Sequence, residues 1–293
     1  VVKGLRVAVT GSTGVVGGAI AAALAAGGHA VTRLTRADFD LARPGAAAPD
    51  LAGVDALVHA AGITEESARG PDGATIAGAG WAALAARARA SGVARLVYVS
   101  SAHVYGPLEG RIDEATPPDP RSRYAEFHLE SERVARDTGP ACDVLRPCNV
   151  YGLPADLKRF ARWALIPYAF PREAATRGRI VLNTPGLQAR NFVAAEGVGR
   201  AAAAVLALPP DAWRVRNVAG RDTLSVRDFA RRVAGLAPAA IGAPVEVVVP
   251  LGDLPAPAPL DYVAADGSQA GDLDGFLAGM LRACRDLKDG WTA

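Results

Sequence analysis

A chain of 293 residues, 50% hydrophobic and 21% charged, is long enough for about two domain-sized units with a substantial core. Its formal charge of +2 is too small to imply a nucleic-acid partner, and no uninterrupted apolar stretch reaches the roughly 20 residues of a membrane span. Cys142, Cys148 and Cys284 are odd in number and lack metal-type spacing, which points to reduced thiols, a cytoplasmic setting and no metal site. Val1-Val2-Lys3-Gly4 has no signal-peptide pattern and leads straight into a strand-like run.

That run, Leu5 to Thr10, is rich in β-formers and ends in Gly11-Ser12-Thr13-Gly14-Val15-Val16-Gly17, after which the apolar residues predict a helix over Val15 to Ala26. Strand, glycine turn and helix in succession point to a dinucleotide-binding loop in preference to a glycine-rich packing turn. Gly11 allows the tight turn, Gly14 lets the backbone approach a pyrophosphate, and Gly17 lets the helix pack on the strand. A second strand over Ala30 to Leu34 leads to Thr35 and Arg36. A carboxylate at that point would accept from ribose hydroxyls, whereas arginine can neutralise a 2′-phosphate. Thr35 in the acid position with Arg36 beside it favours NADP(H) and leaves NAD(H) possible.

Further strands are predicted at Ala56 to His59, Leu96 to Ser100 and Val144 to Arg146, and helices at Ala74 to Ala90 and Ser122 to Arg136. Beyond Tyr151 the pattern loosens. A helix is predicted over Leu157 to Leu165, a short strand at Ile180 to Leu182 and a helix over Phe192 to Leu208. A stretch with prolines at Pro250, Pro255, Pro257 and Pro259 follows, and the segment from Asp261 carries no clear pattern. Alternating strands and helices predict an α/β, doubly wound parallel sheet of Rossmann type with a smaller C-terminal substrate-binding lobe. Residues 1–150 are assigned to the first unit, with 192–214 returning to it, and 151–191 and 215–293 to the lobe.

The chemistry-bearing stretch is Ser100-Ser101-Ala102-His103-Val104-Tyr105-Gly106, followed by Arg123-Tyr124-Ala125-Glu126-Phe127-His128. It pairs a hydroxyl at a strand end with a tyrosine on the next helix. Tyr124 and His128, four residues apart, share a helix face. A free phenol titrates near ~10, so Tyr124 can exchange a proton at neutral pH only where a neighbour stabilises its anion.

Taken together, these motifs resemble the extended short-chain dehydrogenase/reductase superfamily, in its nucleotide-sugar epimerase, dehydratase and ketoreductase branch. Thr10 to Gly17 is similar to the cofactor loop, His59-Ala60-Ala61-Gly62 to the end of the family's fourth strand, and Ser101 to Gly106 to its catalytic-serine strand. Leu145-Arg146-Pro147-Cys148-Asn149-Val150-Tyr151-Gly152 resembles the opening of the substrate lobe, and Arg190-Asn191-Phe192-Val193 a stretch before a late helix. The resemblance implies cofactor contacts from Gly11, Ser12, Thr13, Gly14, Val15, Gly17, Ala60, Ala61, Gly62 and Pro147. It also places Asp40 with Leu41 near the adenine, Asn149 near the substrate's sugar or phosphate, and Arg190 near its pyrophosphate. A homodimer is implied on the same ground.

One departure stands out. The family pattern is Tyr-x-x-x-Lys, and His128 occupies the lysine position; the only lysines are Lys3, Lys158 and Lys288. In the family that lysine lowers the tyrosine pKa and hydrogen-bonds the nicotinamide ribose. Ala102 also stands where dehydratases carry an acid, which disfavours elimination of water. Lys158, Arg159, Arg162, Arg172, Arg177 and Arg179 either suit an anionic small-molecule substrate or lie on solvated faces.

Three readings stay open. The preferred one is an NAD(P)-dependent ketoreductase or epimerase on a sugar-like substrate, with Tyr124 and Ser101 as the proton site and His128 standing in for lysine. The second is a non-redox enzyme using Tyr124, His128 and His103 for proton transfer or elimination. The third is a silent ligand-binding member. Retention of the glycine loop, Ser101, Tyr124 and Arg190 favours an active enzyme.

Overall fold

A computed structural model describes residues 4–43, 49–70, 72–138, 141–250, 252 and 257–287; Lys3, Lys288 and Pro255 lie outside them. Six strands form the central sheet: β1 (Arg6–Thr10), β2 (Ala30–Leu34), β3 (Ala56–His59), β4 (Arg95–Val99), β6 (Ala141–Pro147) and β10 (Arg214–Val218). A short β5 (Gly110–Ile112) and β7 (Asn149–Tyr151), β8 (Arg179–Val181) and β9 (Ala189–Ala194) lie apart from that sheet. The order across it is β10-β6-β4-β3-β1-β2, and every pairing is parallel.

Strand alternation sends one set of side chains to each face. Val7, Val9, Val58, Val97 and Leu145 pack beneath helices α1 (Val15–Ala26) and α6 (Ala195–Ala207). Ala8, Leu57, Leu96, Tyr98 and Val144 pack beneath α3 (Gly73–Ala90) and α4 (Arg123–Thr138), with Trp81, Leu84 and Phe127 from the helices. A five-residue α2 (Glu65–Arg69) precedes them. This is a Rossmann-type, doubly wound sheet. Its strand order reverses between β1 and β3, whose ends Thr10 and His59 are register partners, so the crevice of the fold opens there.

The second lobe joins β7, β9 and β11 (Asp222–Ser225) in one small sheet, β8 and β12 (Glu246–Val248) in another, and packs them with α5 (Ile166–Arg177), α7 (Val226–Ile241) and α8 (Leu273–Asp286). Tyr168, Phe192, Phe229, Phe276 and Met280 form its core. A strand β13 (Leu260–Tyr262) pairs with β5. Among the described residues no helix is long and apolar enough to cross a membrane.

Three sequence expectations need correction. Residues 157–165 form turns rather than a helix. Leu157, Phe160 and Trp163 anchor the loop on the lobe core, and the helix begins only where Pro167 pre-sets its first turn. The helix expected from Phe192 starts three residues later, because Phe192 and Val193 are claimed by strand pairing with β7 and β11. Residues 215–218, counted with the lobe, form the outer strand of the main sheet beside β6.

Candidate functional site

The glycine turn is forced by its surroundings. Gly11 has φ of 66°, and a Cβ there would lie 2.7 Å from the Ala61 amide nitrogen, so the turn sits directly on the end of β3. A Cβ on Gly17 would strike the Gly11 carbonyl. Thr10 Oγ1 lies 2.8 Å from His59 Nδ1 and accepts from the Ala61 amide at 3.3 Å, which ties the two strand ends together. Ser12 Oγ donates to the Leu34 carbonyl at 3.2 Å, fixing the turn to β2. Thr13 and Gly14 are exposed, Val15 begins α1, and the first turn of that helix carries no acidic residue and no side-chain cap. Such an end is electrostatically suited to a pyrophosphate. The turn, the helix end and the adjoining Ala60 and Ala61 therefore fit the phosphates of a dinucleotide.

At the end of β2, Arg36 is exposed, and two groups there were not anticipated. The Arg33 guanidinium donates to the Ser12 carbonyl at 3.4 Å. Asp38 accepts from both the Thr35 amide and the Thr35 hydroxyl at 2.8 Å, and those bonds hold its carboxyl below the usual range. Thr35 thus serves as partner to an acid three residues on. Asp40 faces Arg43 at 3.9 Å, Leu41 is buried against Gly80, and Gly62 is exposed. Pro147 is buried at the end of β6, pairing with Val218.

On the other side of the crevice, Ser101 follows β4 and starts a 3-10 turn (Ala102–Tyr105), its Oγ accepting from the His103 amide at 3.2 Å. The Tyr124 ring stands edge-on to two imidazoles, with centroids 5.9 Å from His103 and 4.6 Å from His128. The four predicted residues Ser101, His103, Tyr124 and His128 thus gather at one end of β4 and α4.

His128 is 4% exposed. Burial pushes its pKa down to about 3, with His103 and Arg162 acting in the same direction. Desolvation of the cation thus favours the neutral imidazole at position 128.

Below this cluster lies a polar layer that sequence reading missed. The Tyr98 hydroxyl lies 2.8 Å from His128 Nδ1, and the Tyr98 ring lies beside the stacked pair of His59 and Trp81, 5.9 and 5.4 Å from their centroids. Ser100 Oγ donates to Glu132 at 2.5 Å, and Arg146 grips the same carboxylate with two donors at 2.9 and 2.6 Å. The Arg146 guanidinium also lies over the Tyr105 ring at 4.8 Å. Strand alternation held the signal: Tyr98 and Ser100 share the face that α4 covers, and Glu132 lies one turn past His128.

A pocket of about 210 Å³ adjoins the cluster, lined by His103, Leu108, Glu109, Gln188 and Arg190 among others. Arg190 is half-buried and donates to the Ala189 carbonyl at 3.0 Å. Asn149 donates to the Asn191 carbonyl at 3.1 Å, so its amide is committed to the lobe backbone. Cys148 is half-buried, and desolvation pushes its thiol up to about 11, which makes it a poor nucleophile. Of the basic residues expected to attract an anion, Lys158, Arg159, Arg162, Arg177 and Arg179 are exposed, and Arg172 lies over Trp163 at 5.3 Å.

The sequence profile of the NAD dependent epimerase/dehydratase family matches residues 7–219. No curated protein matches the chain in sequence. Among solved structures, RMD from Pseudomonas aeruginosa complexed with NADPH is similar with a TM-score of 0.77 at 23% identity, covering 96% of this chain and 99% of that one. The dTDP-glucose 4,6-dehydratase from Streptomyces venezuelae, with NAD and TYD bound, has a TM-score of 0.77 at 24% identity over 98% and 99%. The UDP-glucose 4-epimerase from Thermotoga maritima, with UDP-glucose, has a TM-score of 0.72 at 21% identity over 98% and 100%. At these identities the likeness is one of fold.

Proposed function

Because the chain belongs to the NAD dependent epimerase/dehydratase family, and is an enzyme of that kind, we propose that it reduces or epimerises a carbonyl or carbinol centre of a nucleotide-linked sugar. The observation that carries this reading is the position of Tyr124, clasped by His103 and His128 at the end of β4, with the pocket between His103 and Arg190 alongside.

When bound, the nicotinamide supplies or accepts the hydride. Glycine-turn amides and the α1 terminus hold its pyrophosphate. Tyr124 gives its phenolic proton to the carbonyl oxygen, or takes it back in the reverse direction, while the Ser101 hydroxyl donates a second hydrogen bond to that oxygen. These two donors stabilise the charge that develops there. Arg190 offers a forked guanidinium to the anionic part of the substrate. His128 stays neutral and acts as a hydrogen-bonding group rather than a cation. For cofactor choice we favour NADP(H), supported by Arg33 and Arg36 at the end of β2 and by the engagement of Asp38 with Thr35.

The test is absorbance at the reduced-nicotinamide band, with UDP-glucose and UDP-glucuronic acid offered to the oxidised cofactors and a dTDP-4-keto-sugar offered to the reduced ones. Hydride transfer that falls by ~10² to 10⁴ in Tyr124→Phe supports the reading. Firm cofactor binding without transfer to or from any of these sugars would overturn it. That outcome would favour a second reading, proton transfer at carbon by His103, which shares the pocket with Arg190 and meets the Tyr124 ring.

A further inference from the structure

The pocket that adjoins the Tyr124 cluster has two walls of opposite charge. One is the segment that follows the 3-10 turn. Gly106, at φ of 81°, passes so close to the Asp119 carbonyl that no Cβ fits, Leu108 is buried in one cluster with Tyr105, Ile112 and Leu260, and Gly110 opens β5 in register with Leu260 of β13. Glu109 therefore lines the pocket from a stretch of backbone that is held on both sides. The other wall is β9 and the residue before it, where Ala189 pairs with Ser225 and Arg190 with Leu224. Glu109 makes no hydrogen bond or ion pair among the described residues, Arg190 included, although both line the same space of about 210 Å³. The Arg190 guanidinium donates to the Ala189 carbonyl at 3.0 Å and has no carboxylate partner among those residues. Their separation suits a ligand that meets the guanidinium with an anion and the carboxylate with hydrogen-bond donors.

Charge counting disfavours one class of sugar. Of the residues that line the pocket, Arg190 is the only permanent cation. A neutral sugar linked to a nucleotide brings one anionic part, the diphosphate, and Arg190 meets it. A uronic acid brings a carboxylate as well, for which the lining supplies no second guanidinium or ammonium and, at Glu109, a like charge. Arg111, two residues on, is already matched by Asp113 and Asp261 at 3.5 and 3.2 Å.

We propose that Glu109 is a specificity-determining residue: it turns away uronic acids and selects a nucleotide-linked sugar whose ring offers hydroxyl or amino donors and carries no acid group. The selection rests on the nucleotide-sugar reading of this pocket and adds which sugars it admits. A carboxylate accepts from two donors at once, so vicinal hydroxyls or an ammonium group satisfy it, whereas a second carboxylate repels it.

Calorimetric titration with UDP, UDP-glucose, UDP-glucosamine and UDP-glucuronic acid, and with the dTDP counterparts of each, reads this without any hydride transfer. The bare nucleoside diphosphates report the part of the ligand that Arg190 holds. At low salt the glucose and glucosamine compounds should bind about ten-fold more tightly than the glucuronic acid compound, and the gap should narrow at about 0.5 M salt, where exposed charges are screened. Glu109→Gln should bring the glucuronic acid compound to within about three-fold of the glucose compound and leave the affinity for the bare diphosphate unchanged, while Glu109→Lys should reverse the order. Position 109 is exposed, so both variants should fold and melt as the wild type does. Equal binding of glucose and glucuronic acid compounds by the wild type, or a ratio that neither variant alters, would overturn the proposal and leave the nucleotide-sugar reading standing. Failure of every UDP and dTDP compound to bind would overturn that reading itself, and the selection with it.

Discussion

Acidification should unfold this protein through two interior histidines. Burial lowers the pKa of His59 and of His128 from 6.5 to about 3, whereas in the unfolded chain both return to about 6.5. Between those values the unfolded state binds more protons than the folded one, so stability falls as pH drops below about 6.5 and the loss levels off near about 3. At about pH 5.5 each histidine contributes a loss of about 1.4 kcal/mol relative to neutral pH, about 3 kcal/mol for the pair. Urea unfolding at about pH 7.5, 6.5 and 5.5 reads this directly, and His128→Asn isolates half of it, since the amide oxygen can still accept from Tyr98 but does not titrate. Equal stability at the two ends of that range would refute the reasoning, as would an unaltered pH dependence in His128→Asn.

Three further outcomes are expected. Glu132→Ala strands the Arg146 guanidinium, whose side chain is 5% exposed, and releases Ser100 as well. It should cost about 3–5 kcal/mol in urea unfolding, and a loss under 1 kcal/mol would show that the pair is not coupled as its geometry indicates. Replacing both Arg33 and Arg36 by Ala should weaken NADPH by roughly 10- to 100-fold and leave NADH within a factor of a few, because only the former offers a 2′-phosphate to charge-assisted donors; an unchanged ratio of dissociation constants sinks the NADP(H) preference. Tyr124→Phe should retain NADPH affinity within a few-fold in calorimetry while hydride transfer collapses, and wild-type turnover would remove Tyr124 from the mechanism.

The parts of the fold that were legible in sequence are those where one local signal dominates. Ala30–Leu34, Ala56–His59 and Val15–Ala26 form where the apolar pattern and glycine turn put them. Between Leu157 and Leu165 the spacing of apolar residues mimicked a helix, but those side chains reach the lobe core from a turn, and tertiary contact decided the outcome. The late helices left readable marks that were passed over: Ser225 accepts from the Asp228 amide at the start of α7, and Gly242 closes it in the left-handed region. At the site, the motif residues Ser101, Tyr124 and His128 could be named from spacing. The Tyr98 partner of His128 could not, because it lies thirty residues away in sequence. Asp38 and Arg33 were missed for a similar reason, since which side chain the turn after β2 engages is fixed by backbone direction rather than composition.

The central claim is that a dinucleotide site built on Gly11 to Gly17 works with a neutral imidazole where a charged lysine would stand. Calorimetric titration of the nucleotide-free protein with NADPH, NADP, NADH and NAD tests it most directly. The account predicts saturable, one-to-one binding of a reduced and oxidised pair, NADPH and NADP ahead of NADH and NAD, abolished when Gly11→Val fills the turn. No binding of any of the four would contradict it.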